Sequence, residues 1–148
     1  MIRKITKNDK QIFLELTDKF YKSDAVLHDI PNKNHVAAFE HMVNDALYMD
    51  GYIVESDGKP VGYAIVSKTF SHEAGGIVYW LEELYILPDY RNKSLGKQFF
   101  DFINNQCDDS VSRLRLEVEP ENHAAVRLYL RQGFKKLEYV QYIKELNI

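Results

Sequence analysis

The chain is poor in the residues that would allow the simplest functional assignments. Of its 148 residues only Cys107 is a cysteine, which excludes an internal disulfide and any cysteine-rich zinc site. Its neighbours Asp108 and Asp109 oppose a thiolate, so a nucleophilic cysteine is not expected. No stretch approaches the ~20 apolar residues of a membrane span. Polar residues follow Met1-Ile2-Arg3-Lys4 where an apolar signal core would stand, so a cytoplasmic protein with no membrane partner is expected. Basic residues are not in excess: 19 Lys and Arg against 22 Asp and Glu leave a net charge of −3. That balance excludes the usual nucleic-acid binder, which neutralises phosphates with Lys and Arg, and suits a small cationic partner. The five histidines, at 28, 35, 41, 72 and 123, lack metal-ligand spacing on one helix face. Most are expected at the surface, and no metal is called for.

What is present is one ordinary α/β domain spanning 1–148, with no repeat, low-complexity segment or linker to divide it. Ile2 to Ile5 reads as a strand, and Ile12, Phe13, Leu16 and Phe20 give helical spacing from Thr6 to Tyr21. A second helix is predicted from about His35 to Leu47. Strands at Tyr52–Glu55 and Val61–Phe70 flank Asp57-Gly58, a two-residue hairpin turn. The apolar strand Ile77–Leu87 runs into a loop and a helix from about Ser94 to Asn105. Arg113–Glu119 alternates as a strand, and Asn122 caps a helix that Gly133 ends in left-handed conformation. Phe134–Glu138 and Val140–Lys144 are expected as closing strands. Strand–helix alternation late in the chain implies parallel neighbours and the hairpin antiparallel ones, hence a mixed sheet.

The loop "DYRNKSLGKQFF", Asp89 to Phe100, carries the first chemical signal. A strand, a short loop and a helix start gather unpaired backbone N–H groups at one point, and Arg91, Lys93 and Lys97 add positive charge. Such a site suits a pyrophosphate; an ordinary β–α connection with solvated basic residues explains the same stretch. It is not a Walker loop, since Gly96-Lys97 is followed by Gln98 and Arg91 stands at the earlier glycine. Nor is it a dinucleotide fingerprint, because no second glycine lies near Gly96.

Arg91-Asn92-Lys93-Ser94-Leu95-Gly96 does resemble the acetyl-CoA loop [QR]-x-x-G-x-[GA] of the GNAT superfamily of N-acetyltransferases, departing only at Ser94. The preceding "LYILPDY" is similar to that family's approach to the loop, and "EPENHAAVRLYLRQGF", Glu119 to Phe134, resembles its second signature. The resemblance covers essentially the whole chain. It implies a single-domain GNAT-like α/β fold, a mixed central sheet with helices on both faces. It also implies acetyl-CoA as cosubstrate, its pyrophosphate held by Arg91, Asn92, Lys93, Ser94, Leu95, Gly96 and Lys97, largely through backbone amides. The strand end Leu84, Tyr85, Ile86 and Leu87 would hold pantetheine, and Asn122 and Tyr129 would also meet CoA. At Ser94 a left-handed backbone would cost a non-glycine residue about 1–2 kcal/mol, whereas a helical one would cost little. We expect the helical case, with Ser94 starting the helix.

Acetyl transfer to an amine needs a free lone pair, and an alkylamine of pKa ~10.4 is almost wholly protonated at pH 7. A general base is therefore valuable. Glu82 and Glu83 interrupt the apolar strand; strict alternation puts Glu82 with Trp80 and Leu84, and Glu83 with Leu81 and Tyr85. For Glu83, a solvated groove or an arginine partner is an equal alternative. "WLEELYI" is similar to the polyamine (diamine) branch of the family, which implies that the first acid, Glu82, is the base. Tyr129 would protonate the leaving thiolate, although core packing explains a tyrosine at helical spacing equally well. Tyr21, Asp24, Asp29 and Trp80 are the candidates for binding a cationic small amine or peptide amine. A non-catalytic acetyl-CoA sensor, a nucleotide-binding regulatory domain and a homodimer joined at the closing strands remain open.

Overall fold

The computed structural model describes residues 1–146. Strand β1, Ile2–Lys4, leads through a single 3-10 turn into helix α1, Lys10–Tyr21, and helix α2, Asn32–Asn44. Three antiparallel strands follow: β2 (Met49–Ser56), β3 (Lys59–Ser71) and β4 (Gly76–Ile86). Helix α3, Leu95–Gln106, crosses back to β5, Val111–Leu116, and helix α4 is His123–Arg131. The sheet order is β1-β2-β3-β4-β5, and among the described residues only β4 and β5 are parallel, so the expected mixed α/β sheet is present.

Local chemistry accounts for these elements. The β2–β3 turn puts Asp57 at φ 51° and Gly58 at φ 74°, the double left-handed geometry of a tight hairpin. Asn122 accepts a hydrogen bond from the Ala125 amide at 3.3 Å and so caps α4, and Gly133 ends it at φ 87°. Alternation along the strands feeds two cores. On one face Phe13, Leu16 and Phe20 of α1 and Phe39 and Met42 of α2 pack on Ile53, Tyr63, Ile65 and Tyr85. On the other, Phe99, Phe100 and Ile103 of α3 pack on Tyr52, Ala64, Val66 and Leu81, with Leu128 and Tyr129 of α4 against them.

Two expectations fail here. The segments 134–138 and 140–144 form no strands: the chain beyond Gly133 carries no regular structure among the described residues. A strand exists only against a partner, and this arm leaves Tyr139, Val140, Tyr142 and Ile143 exposed. The second failure concerns parity in β4. Glu83 pairs with Ile65 but Leu81 pairs with Val66, so Glu82 is an extra residue, a β-bulge. The bulge resets the alternation: Leu81 and Leu84 join the α3 core, while Tyr85 joins the α1–α2 core.

Candidate active site

The bulge coincides with a fork in the sheet. Pairing between β4 and β5 ends at Leu81 with Leu116, and beyond it β4 is paired with β3 alone among the described residues. The strand end Leu84–Leu87 thus has one backbone edge free of strand pairing, where an extended ligand can hydrogen-bond as a strand would. An open depression of about 520 Å³ between α1 and this strand end is lined by Tyr85 and Leu87 but by neither acid.

The two glutamates differ sharply. Glu83 reaches neither a solvated groove nor an arginine. Tyr21 donates to its Oε1 and Tyr63 to its Oε2, each at 2.5 Å. Desolvation raises the Glu83 pKa, and the two phenol donors only partly oppose that rise. The same contacts drive the Tyr21 and Tyr63 hydroxyls far above the usual phenol range, by burial first and then by the facing carboxylate. Glu82 is exposed and holds a single anchor, the Ser67 hydroxyl donating at 2.9 Å. Its pKa is also raised, chiefly by partial desolvation of the carboxyl, with the Ser67 hydrogen bond opposing and Glu117 adding repulsion. Solvent at the exposed tip moderates that shift. Ser67, Ile65 and Tyr63 alternate along β3, so the bulge lets two successive acids address groups on one face of the sheet.

At the anion loop the expectation for Ser94 is wrong. Its φ is 61° and ψ 15°, left-handed, and its hydroxyl makes no capping bond. Asn92 is left-handed as well, at φ 59°, while Lys93 between them is not. Alternating backbone hand turns successive N–H groups into one concavity, an arrangement that binds anions. The first helical bond of α3 runs from the Gln98 amide to the Ser94 carbonyl, so the amides of Leu95, Gly96 and Lys97 lack partners within the helix. No serine cap competes for them, which fits a bound pyrophosphate. Of the basic side chains, the Arg91 Nε donates back to the Ile86 carbonyl at 2.9 Å, Lys93 Nζ lies over the Tyr90 ring at 5.1 Å, and Lys97 is paired with Asp101 at 2.6 Å. Gly96 must stay small because a Cβ there would lie 3.0 Å from Leu128 Cδ2 of α4.

Tyr129 packs edge-on against Phe100 at 5.8 Å and Phe134 at 6.2 Å, and burial raises its phenol pKa. Of the acceptor candidates, only Tyr21 is brought to an acid. Asp24 and Asp29 are exposed in the α1–α2 connection, and the Trp80 ring is already covered by the Arg115 guanidinium at 4.3 Å. Sequence reasoning missed Tyr63, Thr17, His35 and Ser67. His35, the exception among histidines that are mostly at the surface, is only 4% exposed and lies 3.2 Å from Thr17 Oγ1. A signal existed: Thr17 sits beside Leu16 and four residues after Phe13, and His35 four before Phe39, both on apolar faces.

A five-stranded mixed sheet of this order, forked beside the start of a helix, is found in other proteins. The model of the acetyltransferase (GNAT) family matches residues 12–134. The chain therefore belongs to the GNAT acetyltransferase family. The uncharacterized N-acetyltransferase MJ1207 of Methanocaldococcus jannaschii is 31% identical over 146 residues, covering 95% of this chain and 62% of that protein. The chain thus spans less than two thirds of that relative's length. The aminoglycoside N(6′)-acetyltransferase type 1 of Salmonella typhimurium is 24% identical over 123 residues, or 78% of this chain and 81% of the relative. Among solved structures, aminoglycoside N-acetyltransferase AAC(6′)-Iy in complex with CoA superposes with a TM-score of 0.80. It covers 98% of this chain and 93% of that one at 20% identity, a likeness of fold. No helix among the described residues is long and apolar enough to cross a membrane.

Proposed function

We propose that the chain moves an acetyl group from acetyl-CoA to a primary amine by direct transfer in a ternary complex. The observation that carries this reading is the bulge. It sets an exposed acid of raised pKa, Glu82, at the point where β4 parts from β5 and its free edge begins. Glu82 takes a proton from the ammonium, directly or through one water. The amine nitrogen attacks the thioester carbon, the carbon–sulfur bond breaks, Tyr129 gives its proton to the thiolate, and the second proton lost by the nitrogen passes through water to restore the phenol. Amides on the free edge of the Leu84–Leu87 strand end, where the Leu87 amide itself is bonded to the Val61 carbonyl, hold pantetheine and polarise the carbonyl, and the Arg91–Lys97 turn holds the pyrophosphate. Deprotonating an alkylamine at pH 7 costs about 4.6 kcal/mol, from ~3.4 units at 1.36 kcal/mol each. A base matched to neutrality is worth ~10²–10⁴-fold in rate.

The acceptor in this reading is a cationic amine, a polyamine, an aminoglycoside-type amine or a peptide amine, drawn by Glu82 and Glu83 with Tyr21 beside them. The segment 134–146, which leaves Tyr139, Val140, Tyr142 and Ile143 exposed, is read as meeting a second copy; sedimentation of the intact chain as a monomer at micromolar concentration would exclude that. Thiol release from acetyl-CoA over a panel of such amines tests the activity. Saturable acetyl-CoA binding with no amine-stimulated release would favour a sensor instead.

A further inference from the structure

Behind Glu83 runs a buried line of polar groups that catalysis as proposed leaves unused. Thr17 is 1% exposed, His35 4% and Tyr63 0%. The Tyr63 hydroxyl lies 2.5 Å from Glu83 Oε2 and 3.1 Å from Thr17 Oγ1, and Thr17 Oγ1 lies 3.2 Å from His35 Nδ1. Each hydroxyl has one proton, and that count fixes the direction of every bond. An ionised Glu83 only accepts, so Tyr63 gives it its single proton and must accept from Thr17. Thr17, its proton spent on Tyr63, must accept from His35. The imidazole therefore carries hydrogen on Nδ1. If Glu83 is protonated and donates to Tyr63, every link reverses and Nδ1 becomes an acceptor, the neutral ring then holding its hydrogen on Nε2. The two states differ by one proton, the one on Glu83.

We propose that Thr17 and His35 are positioning residues for the acidic site, forming with Tyr63 a directional chain whose polarity, and with it the ring tautomer of His35, follows the protonation state of Glu83. The proposal rests on the reading of Glu82 and Glu83 as the acids that face the amine. In the ionised state three aligned donors polarise one another toward the carboxylate and hold the charge that attracts an ammonium. The titratable groups facing Glu83 are Tyr21 of α1, Tyr63 of β3, Glu82 of its own strand and, one link behind, His35 of α2. The Tyr21 ring also lies against His35, centroids 5.2 Å apart, so α1 and α2 are tied to the acid along two lines.

Nitrogen-15 NMR of the full chain labelled at histidine tests this without any turnover, His35 being assigned by the signal lost in His35→Gln. Near pH 8 the neutral ring should be protonated on Nδ1 and bare on Nε2; a bare Nδ1 overturns the chain. Tyr63→Phe should abolish the dependence of the tautomer on the Glu83 titration, and a dependence that persists would also overturn it. In acetyl transfer, where the Glu83 charge draws the amine, Thr17→Val should move the acid limb of the amine KM upward by about 0.3–0.5 pH unit and Thr17→Ser should restore it. A Thr17→Val protein with a lowered Tm and an unmoved limb would reduce both residues to packing. Because the tautomer is read on the free protein, failure of the acetyl-transfer reading is distinguishable from failure of the chain.

Discussion

Replacing Ser94 with glycine should stabilise the protein. At φ 61° and ψ 15° a Cβ crowds its own backbone, which costs about 1–2 kcal/mol for a non-glycine residue. Glycine removes that cost but adds about 0.4–1 kcal/mol of backbone freedom to the unfolded chain. The serine hydroxyl makes no cap bond, so nothing is lost with it. The net gain is about 0.5–1 kcal/mol, or about 1–4 °C in Tm for a chain of this size. Differential scanning calorimetry reads this directly, with Ser94→Val as the opposite control: a β-branched residue is disfavoured at positive φ and should melt lower. Asn92→Gly should gain less, since asparagine tolerates the left-handed region better. Acetyl-CoA affinity should stay within about threefold in Ser94→Gly, because the proposed contacts are amides rather than the side chain. A Ser94→Gly protein that melts below wild type, or a Ser94→Val protein as stable as wild type, would refute a left-handed Ser94.

Glu82→Gln should keep acetyl-CoA affinity and lose about 10²-fold or more in kcat near pH 7. The deficit should shrink as pH rises toward the pKa of the amine; full turnover across pH 6–9 would remove Glu82 from the role. Gly96→Val forces a side chain into Leu128 Cδ2, already 3.0 Å from where a Cβ would stand, and should cost about 1–3 kcal/mol while raising the KM for acetyl-CoA. Asp9, paired with Arg3 at 2.9 Å, has its pKa lowered to about 2, chiefly by that hydrogen bond. Its depressed value contributes stability that is whole above the ordinary carboxylate range near ~3.9 and is lost as pH falls toward 2. Asp9→Asn should flatten the pH dependence of Tm across that window, and an unchanged slope would count against the pair.

What could be read from the sequence was what short-range chemistry decides. The Asp57-Gly58 turn, the Asn122 cap and the Gly133 stop each depend on one or two residues, and the structure reproduces each. The spacing of Phe99, Phe100 and Ile103 likewise announced a buried helix face. The bulge was not legible, because an extra residue in β4 is defined by its partner strand; alternation counted straight through Glu82 groups Tyr85 with Glu83 correctly but wrongly adds Leu81 to Glu83 and Leu84 to Glu82. Ser94 misled for a related reason: serine favours helix starts in general, but here the loop sets the backbone before the side chain can cap. The arm after Gly133 has strand-like composition, yet composition cannot supply a neighbour to pair with. His35 was not singled out because its partners, Thr17 on α1 and Tyr63 beyond it on β3, are distant in sequence.

The fork also divides β4 by its dependence on neighbours. Up to Leu81 the strand is gripped from both sides; from Glu82 onward, among the described residues, one side alone restrains it. Its first half should exchange amide hydrogens only when the sheet opens, whereas the second half can breathe without disturbing β5. A ligand bound along the free edge would then act as the missing strand, and slowed exchange at Leu84 to Ile86 would record its arrival residue by residue.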